Sequence, residues 1–191
     1  MCIRDRAIAF DVHQLTFRHE MFKDYKGTRK PMLPELREQV PVIKELLHKM
    51  NITTIELPGF EADDVIGTMS KIGEDAGMDV CVFSGDRDLL QLASDKVMIC
   101  IPKTKKGQTT VEKYKTEEVK ELYKVTPVEF IDVKALMGDS SDNIPGVPGI
   151  GEKGATTIIE QFGSIENAYE HAEEISNNCL LYTSPSPRDG A

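Results

Sequence analysis

A chain of 191 residues with 40% hydrophobic side chains has material for one domain of ordinary size, or for one domain with a smaller appendage. It holds no apolar run of about 18 residues and no charged start followed by an apolar stretch, which excludes a membrane-spanning helix and a secretory leader and points to a soluble, cytoplasmic protein. The formal net charge of −9 argues against a simple basic nucleic-acid binder.

In chain order, MCIRDR at 1–6 reads as a charged scrap foreign to the rest of the chain. AIAF at 7–10, TTIEL at 53–57, VCVF at 80–83 and VMICI at 97–101 read as strands. Between them, 35–50 sets Leu36, Val40, Ile43, Leu47 and Met50 on one helical face, with Pro41 kinking that helix or delaying its start. Residues 61–76 do the same with Ala62, Val65, Ile66, Met69, Ile72 and Ala76. Strand and helix alternation of this kind predicts an α/β core over 7–114, a parallel-type central sheet flanked by helices. From 115 the strands stop, and helices are predicted near 115–124, 127–137, 152–162 and 165–175, a helical region over 115–179. LLYTSPSPRDGA at 180–191 has no periodicity and again reads as foreign. Cys2, Cys81, Cys100 and Cys179 have neither CxxC spacing nor partnering histidines, which speaks against zinc or a disulfide scaffold; Cys81 and Cys100 are expected to pack as small hydrophobes.

In an open α/β sheet, ligands bind beyond the carboxyl ends of the strands. Carboxylates stand at each such position here: Asp11 after AIAF, Glu61, Asp63 and Asp64 in GFEADD, and Asp86 and Asp88 in SGDRD. Each group alone has an ordinary explanation, because acids favour helix N-termini, and Asp139 and Asp142 in MGDSSDN could cap a helix end and turn. Their convergence on one sheet edge is what needs a cation, since like charges there would repel and shift one another's pKa. Oxygen ligands without His or Cys favour Mg²⁺ or Mn²⁺. Eight carboxylates exceed the needs of one ion and point to two ions, ~4 Å apart, of the kind that serve phosphoryl chemistry. Setting those eight aside leaves 24 acidic against 23 basic residues, which removes the objection from net charge.

GFEADD at 59–64, SGDRDLLQL at 84–92 and GDSSDNIPGVPGIGEK at 138–153, in this order, resemble the 5′-nuclease family found at the front of bacterial DNA polymerase I and among flap endonucleases. FRHEMFKDYKGTRK at 17–30 is similar to the stretch that enters that family's helical arch, here 17–40. The resemblance covers about 7–175 and implies a PIN-like, Rossmann-like core followed by a helix–three-turn–helix. It implies that Asp11, Glu61, Asp63 and Asp64 serve mainly a first metal, that Asp86 and Asp88 lie between two metals, and that Asp139 and Asp142 reach the second. The family's pattern begins earlier, with a strand ending in a further metal-binding Asp, and that segment is not found here.

Residues 18–37 carry six Lys or Arg against three acids, a solvated face or a phosphate clamp. By resemblance, Arg18, Lys26 and Arg29 join Asp11 in the catalytic set and hold the scissile phosphate and the 5′ strand. Lys30 adds a phosphate contact, and Tyr25 is the expected stacking partner for a base. GVPGIGEKG at 146–154 opens onto a helix, and Gly146, Gly149, Gly151 and Lys153 would grip duplex DNA by its backbone, with K⁺ on carbonyl oxygens as the resemblance implies.

The expected reaction is phosphodiester hydrolysis on DNA with 5′ ends, flaps or nicks, RNA primers included. One metal would lower the pKa of a water and the other would stabilise the leaving 3′ oxygen. His13, His19, His48 and His171 are read as surface or arch residues. An aspartate phosphatase would need Asp-x-Asp where the sequence has Asp11, Val12 and His13. The competing reading is a module that binds branched DNA without cutting it. A monomer, fused to a polymerase in its parent protein, is expected.

Overall fold

The computed structural model of the chain describes residues 6–12 and 14–175. His13, Cys2, Cys179, 1–5 and 176–191 lie outside them. The chain divides into two compact units, residues 1–72 with 141–143, and residues 73–140 with 144–191.

In the first unit β1 (Ala7–Ala9) and β2 (Thr53–Ile55) pair in parallel, Ala7 opposite Thr53 and Ala9 opposite Ile55. The Phe10 amide extends the ladder to the Ile55 carbonyl at 3.0 Å. A short helix α1 (Phe17–Met21), unforeseen from the sequence, and the long helix α2 (Pro34–Lys49) form the crossover. Proline suits the first turn of α2, where an amide has no intrahelical partner. Pro41 neither starts nor ends this helix, which runs from Pro34 to Lys49 with Pro41 inside it.

The predicted inward stripe of α2 is only partly covered. Val40 and Leu47 are half-buried, whereas Leu36, Ile43 and Met50 are 49%, 44% and 52% exposed. Geometry accounts for this: 16 residues of helix run about 24 Å, while strands of three residues reach about 10 Å. Helix α3 (Ala62–Asp75) comes next, with Val65 buried and Met69 and Ile72 exposed.

The second unit is built on a sheet of order β3-β4-β5, with β3 (Val80–Phe83) parallel to β4 (Val97–Lys105) and β5 (Gln108–Tyr114) antiparallel to it. Between β3 and β4 lies a 3-10 turn, Arg87–Leu92. The apolar pattern in the sequence ends at 101 and gives no sign of β5. The turn that makes it is Lys106-Gly107, with φ of 51° and 78°, a two-residue hairpin whose left-handed pair matches strand twist. Mostly exposed, QTTVEKY carries no inward alternation to betray it.

Strand β4 is the centre of the core, with Val97, Ile99, Cys100 and Ile101 all buried. Leu89, Leu90, Val119, Tyr123, Val125, Phe130 and Val133 are buried as well. The helices are α4 (Thr116–Tyr123), α5 (Glu129–Met137), α6 (Glu152–Phe162) and α7 (Ile165–Glu170). The predicted helix at 165–175 thus breaks into α7 and a 3-10 turn, Ala172–Glu174.

Helix α6 starts after Gly151 in extended conformation and ends at Gly163, whose φ of 79° gives a left-handed stop. Between α5 and α6 the chain forms a small ladder of β6 (Gly138–Asp139) and β7 (Ile144–Pro145). Any side chain at Gly146 would meet the Met137 backbone at 2.2 Å, so glycine is required there for packing.

Candidate functional site

In the first unit the acidic residues gather around the start of α3. Asp11, directly after β1, accepts the Ala62 amide at 2.7 Å, and Asp64 accepts the Glu61 amide at 2.9 Å. Helix-end chemistry is therefore present at both residues, but it does not exhaust them. Arg18 forks onto Asp64 at 2.8 and 2.7 Å. Lys26 reaches Glu61 at 2.8 Å, and Arg29 pairs with Asp142. The Tyr25 hydroxyl lies 3.1 Å from both Glu61 and Asp142, so it donates to one of them at a time. Asp63 sits half-buried in the first turn of α3.

The basic stretch is thereby folded onto the carboxylates. Lys26 has φ of 55°, and its amide donates to the Asp142 carbonyl at 2.8 Å, while Arg29 Nε donates to the Ser141 carbonyl at 3.1 Å. These bonds hold Ser141–Asn143 in the first unit. Lys30 is exposed. The hydrogen bond to Asp64 raises the Arg18 pKa further above its usual value, and the same bond holds the Asp64 carboxyl below the usual carboxylate range. Burial, then the charges of Glu61 and Asp142, pushes the Tyr25 phenol well above its usual value. Tyr25 is only 5% exposed. Expected as a stacking partner for a base, it instead has its ring covered and its hydroxyl turned to two carboxylates.

In the second unit β3 leads into Ser84, whose amide is fixed on the Cys100 carbonyl at 3.1 Å. Asp86 caps the 3-10 turn by accepting the Asp88 amide at 2.8 Å. Lys134 of α5 then bridges Asp88 at 2.8 Å and Asp139 at 3.1 Å. Burial works against the charge on Lys134, but its bonds to Asp88 and Asp139 outweigh burial and leave its pKa above the ordinary lysine value. For Asp88 burial prevails over the same ammonium, so this carboxyl lies above its usual range, with Asp86 and Asp139 adding to the rise. The lysine thus keeps its proton, and Asp88 is the costlier charge of the pair.

Lys134 is a residue that sequence reasoning misses. Its signal is its place five positions before Asp139 in the last turn of α5, which a linear reading assigns to solvent. Arg87, between the two aspartates of its motif, points away from them, to the Tyr123 hydroxyl at 3.0 Å and to Glu112 at 3.5 Å.

Of the eight predicted ligands, Asp11, Glu61, Asp63, Asp64 and Asp142 fall in the first unit and Asp86, Asp88 and Asp139 in the second. Among the described residues, no group of three or more His, Cys, Asp or Glu side chains is arranged, as the side chains stand, to hold a metal ion. The donor chemistry nevertheless fits a hard divalent cation. Asp88 and Asp139 are all-oxygen donors already converging on one positive charge, the Lys134 ammonium. In the glycine-rich loop, Gly149 has φ of 83°, nothing crowds Gly151, and Lys153 is exposed in the first turn of α6. No helix of the described residues is long and apolar enough to cross a membrane.

Two family models match the chain. That of the 5′-3′ exonuclease N-terminal resolvase-like domain covers residues 3–124. That of the 5′-3′ exonuclease C-terminal SAM fold covers residues 125–182. The chain belongs to the 5′-3′ exonuclease family.

Over 173 residues it is 54% identical to DNA polymerase I of Bacillus subtilis (strain 168), covering 91% of this chain and 19% of that protein. Over 170 residues it is 46% identical to DNA polymerase I of Lactococcus lactis subsp. cremoris, covering 88% and 19%. The chain thus spans about a fifth of the length of these relatives. Among solved structures it is similar to the T5 5′-exonuclease with bound zinc, at 30% identity and a TM-score of 0.71, covering 86% of this chain and 63% of that one. It is equally similar, at 30% identity and a TM-score of 0.70, to the bacteriophage T5 flap endonuclease in a pseudo-enzyme–product complex with DNA and metal ions, covering 86% and 62%. The catalytic core of Rad2 in complex with DNA shares the fold, at 19% identity and a TM-score of 0.55, covering 96% and 56%.

Proposed function

We propose that this chain is the 5′-nuclease part of a DNA polymerase I-like protein of the cytoplasm, and that it hydrolyses phosphodiester bonds near 5′ ends, flaps or nicks of DNA, RNA primers included. The observation that carries this reading is the pairing of carboxylates with protein cations in each unit, Arg18, Lys26 and Arg29 in one and Lys134 in the other. Such charge sets stand ready to exchange partners with a divalent metal and a phosphate.

Asp11, Glu61, Asp63, Asp64, Asp86, Asp88, Asp139 and Asp142 would hold Mg²⁺ or Mn²⁺, two ions by the number of carboxylates. When bound, divalent metal supplies acidification of water and charge stabilisation of the leaving oxygen. Arg18, Lys26 and Arg29, freed from their carboxylates, would bind the scissile phosphate and the 5′ strand. Tyr25 would then orient Glu61 and Asp142 in place of stacking on a base. Lys30 would add a phosphate contact. Gly149, Gly151 and Lys153 present backbone amides and charge at the start of α6, suited to the phosphate backbone of duplex DNA, with K⁺ on the loop carbonyls. Gly146 supports that loop by close packing.

A second reading is binding of branched DNA without cleavage, in which the same cations would turn to phosphates while the carboxylates hold no metal. Cleavage of a 5′-labelled flap in Mg²⁺ and in EDTA, by this chain and by Asp63→Asn, separates the two. Cutting that needs Mg²⁺ and falls by at least ~100-fold in the variant supports the nuclease. Tight flap binding with no cutting under either condition supports the binder.

A further inference from the structure

We propose that Cys81 and Cys100 form an oxidation site, in which a peroxide converts the two thiols into a reversible disulfide between β3 and β4. The two sulfurs already lie 3.2 Å apart, with either thiol able to donate to the other. In the parallel register Cys81 stands opposite Met98 and Phe83 opposite Cys100, so both cysteines share one face of the sheet two positions out of register. Closing the bond requires the sulfurs to approach from 3.2 Å to about 2.05 Å.

The two thiols are not equivalent. Cys81 is exposed and Cys100 is buried, 3% exposed. Burial, then the neighbouring Cys81, pushes the Cys100 thiol up to about 11. Peroxide therefore meets Cys81 first. The Cys81 thiolate attacks one peroxide oxygen, the O–O bond breaks, and sulfenic acid and hydroxide result. The Cys100 sulfur then attacks the Cys81 sulfur; the S–O bond breaks, the S–S bond forms, and the thiol proton leaves with the hydroxyl as water. In sum two thiols and one hydrogen peroxide give one disulfide and two waters.

From the sequence, both residues are expected to be inert core hydrophobes. Their pairing depends on the register of β3 on β4, which no spacing within the chain reveals. The bond would close a loop that contains Asp86 and Asp88, and its formation is independent of the assignment of those residues as metal ligands.

The test is peptide mapping of the intact native chain after hydrogen peroxide and alkylation, without reduction. The expected product is a cross-linked pair of tryptic peptides, 72–87 with 97–103, lighter than their sum by about 2 Da, from chains that still run as monomers. Dithiothreitol should return both thiols. The proposal is overturned if Cys81 proceeds to sulfinic acid while Cys100 stays a free thiol, if neither thiol reacts, or if Cys81 joins a second chain.

Discussion

Arg18 and Asp64, 46 positions apart, meet in a two-pronged ion pair of 2.8 and 2.7 Å. The planar guanidinium matches the carboxylate edge to edge, and Asp64 also accepts the Glu61 amide at the start of α3. One carboxylate thus ties the basic stretch to the helix that comes after β2.

Replacing Arg18 with Met should cost about 1 kcal/mol of stability at neutral pH, a figure reduced for partial exposure of the pair. Because the folded-state pKa of Asp64 is lowered from 3.8, its contribution is complete above that value and is lost as pH falls through the lowered one. Urea unfolding from neutral pH downward should show a flatter acid limb in Arg18→Met than in the native chain. An equal acid limb in both would remove Arg18 as the cause.

Lys134 holds two carboxylates that would repel each other without it. Lys134→Met should therefore destabilise the metal-free chain by about 1–3 kcal/mol and make it more responsive to Mg²⁺, since no ammonium competes for the oxygens. Thermal unfolding in EDTA and in Mg²⁺ measures this. A larger metal-induced rise in Tm than in the native chain is expected, and an equal or smaller rise would show that Lys134 does not stand in the cation's place.

Lys26 and Arg29 are engaged with Glu61 and Asp142. Flap DNA should bind more tightly in Ca²⁺, which occupies oxygen sites while suppressing turnover, than in EDTA. In Lys26→Gln with Arg29→Gln, that gain should shrink, and the slope of log affinity against log salt should fall by about 2. Fluorescence anisotropy at several salt concentrations decides it; an unchanged slope would place neither residue on a phosphate.

Gly146→Ala should be among the most damaging single-methyl substitutions in the chain, because the added carbon meets the Met137 carbonyl carbon at 2.2 Å and the Gly138 nitrogen at 2.4 Å. A loss of about 3 kcal/mol or more is expected. Gly151→Ala, where nothing lies within 4 Å, serves as the comparison and should cost less than about 1 kcal/mol. Circular dichroism melts of the two variants decide between them, and a Gly151→Ala worse than Gly146→Ala would rule out close packing as the cause.

Strands at 80–83 and 97–101 and the helix at 152–162 are legible in the sequence because each carries its own signal in consecutive residues, apolar runs in the strands and a glycine before and after the helix. Strand β5 is not, since its residues are mostly polar and exposed and its existence rests on two left-handed residues, Lys106 and Gly107. The stripe of α2 is real as a pattern, but Leu36, Ile43 and Met50 stay exposed because periodicity states which residues share a face, not whether that face is covered.

For the site, what the sequence by itself offered was a set of candidates: acids after apolar runs, bases after the first of them and glycines before a helix, all chemistry written in local order. Only the tertiary structure decided partnership. That Asp64 belongs to Arg18, that Lys134 joins Asp88 to Asp139, that Tyr25 turns its hydroxyl inward and that Cys81 meets Cys100 are facts of strand register and packing. Hydrogen bonds and ion pairs act over about 3 Å in space, and residues brought within that range by folding leave no mark on their separation along the chain.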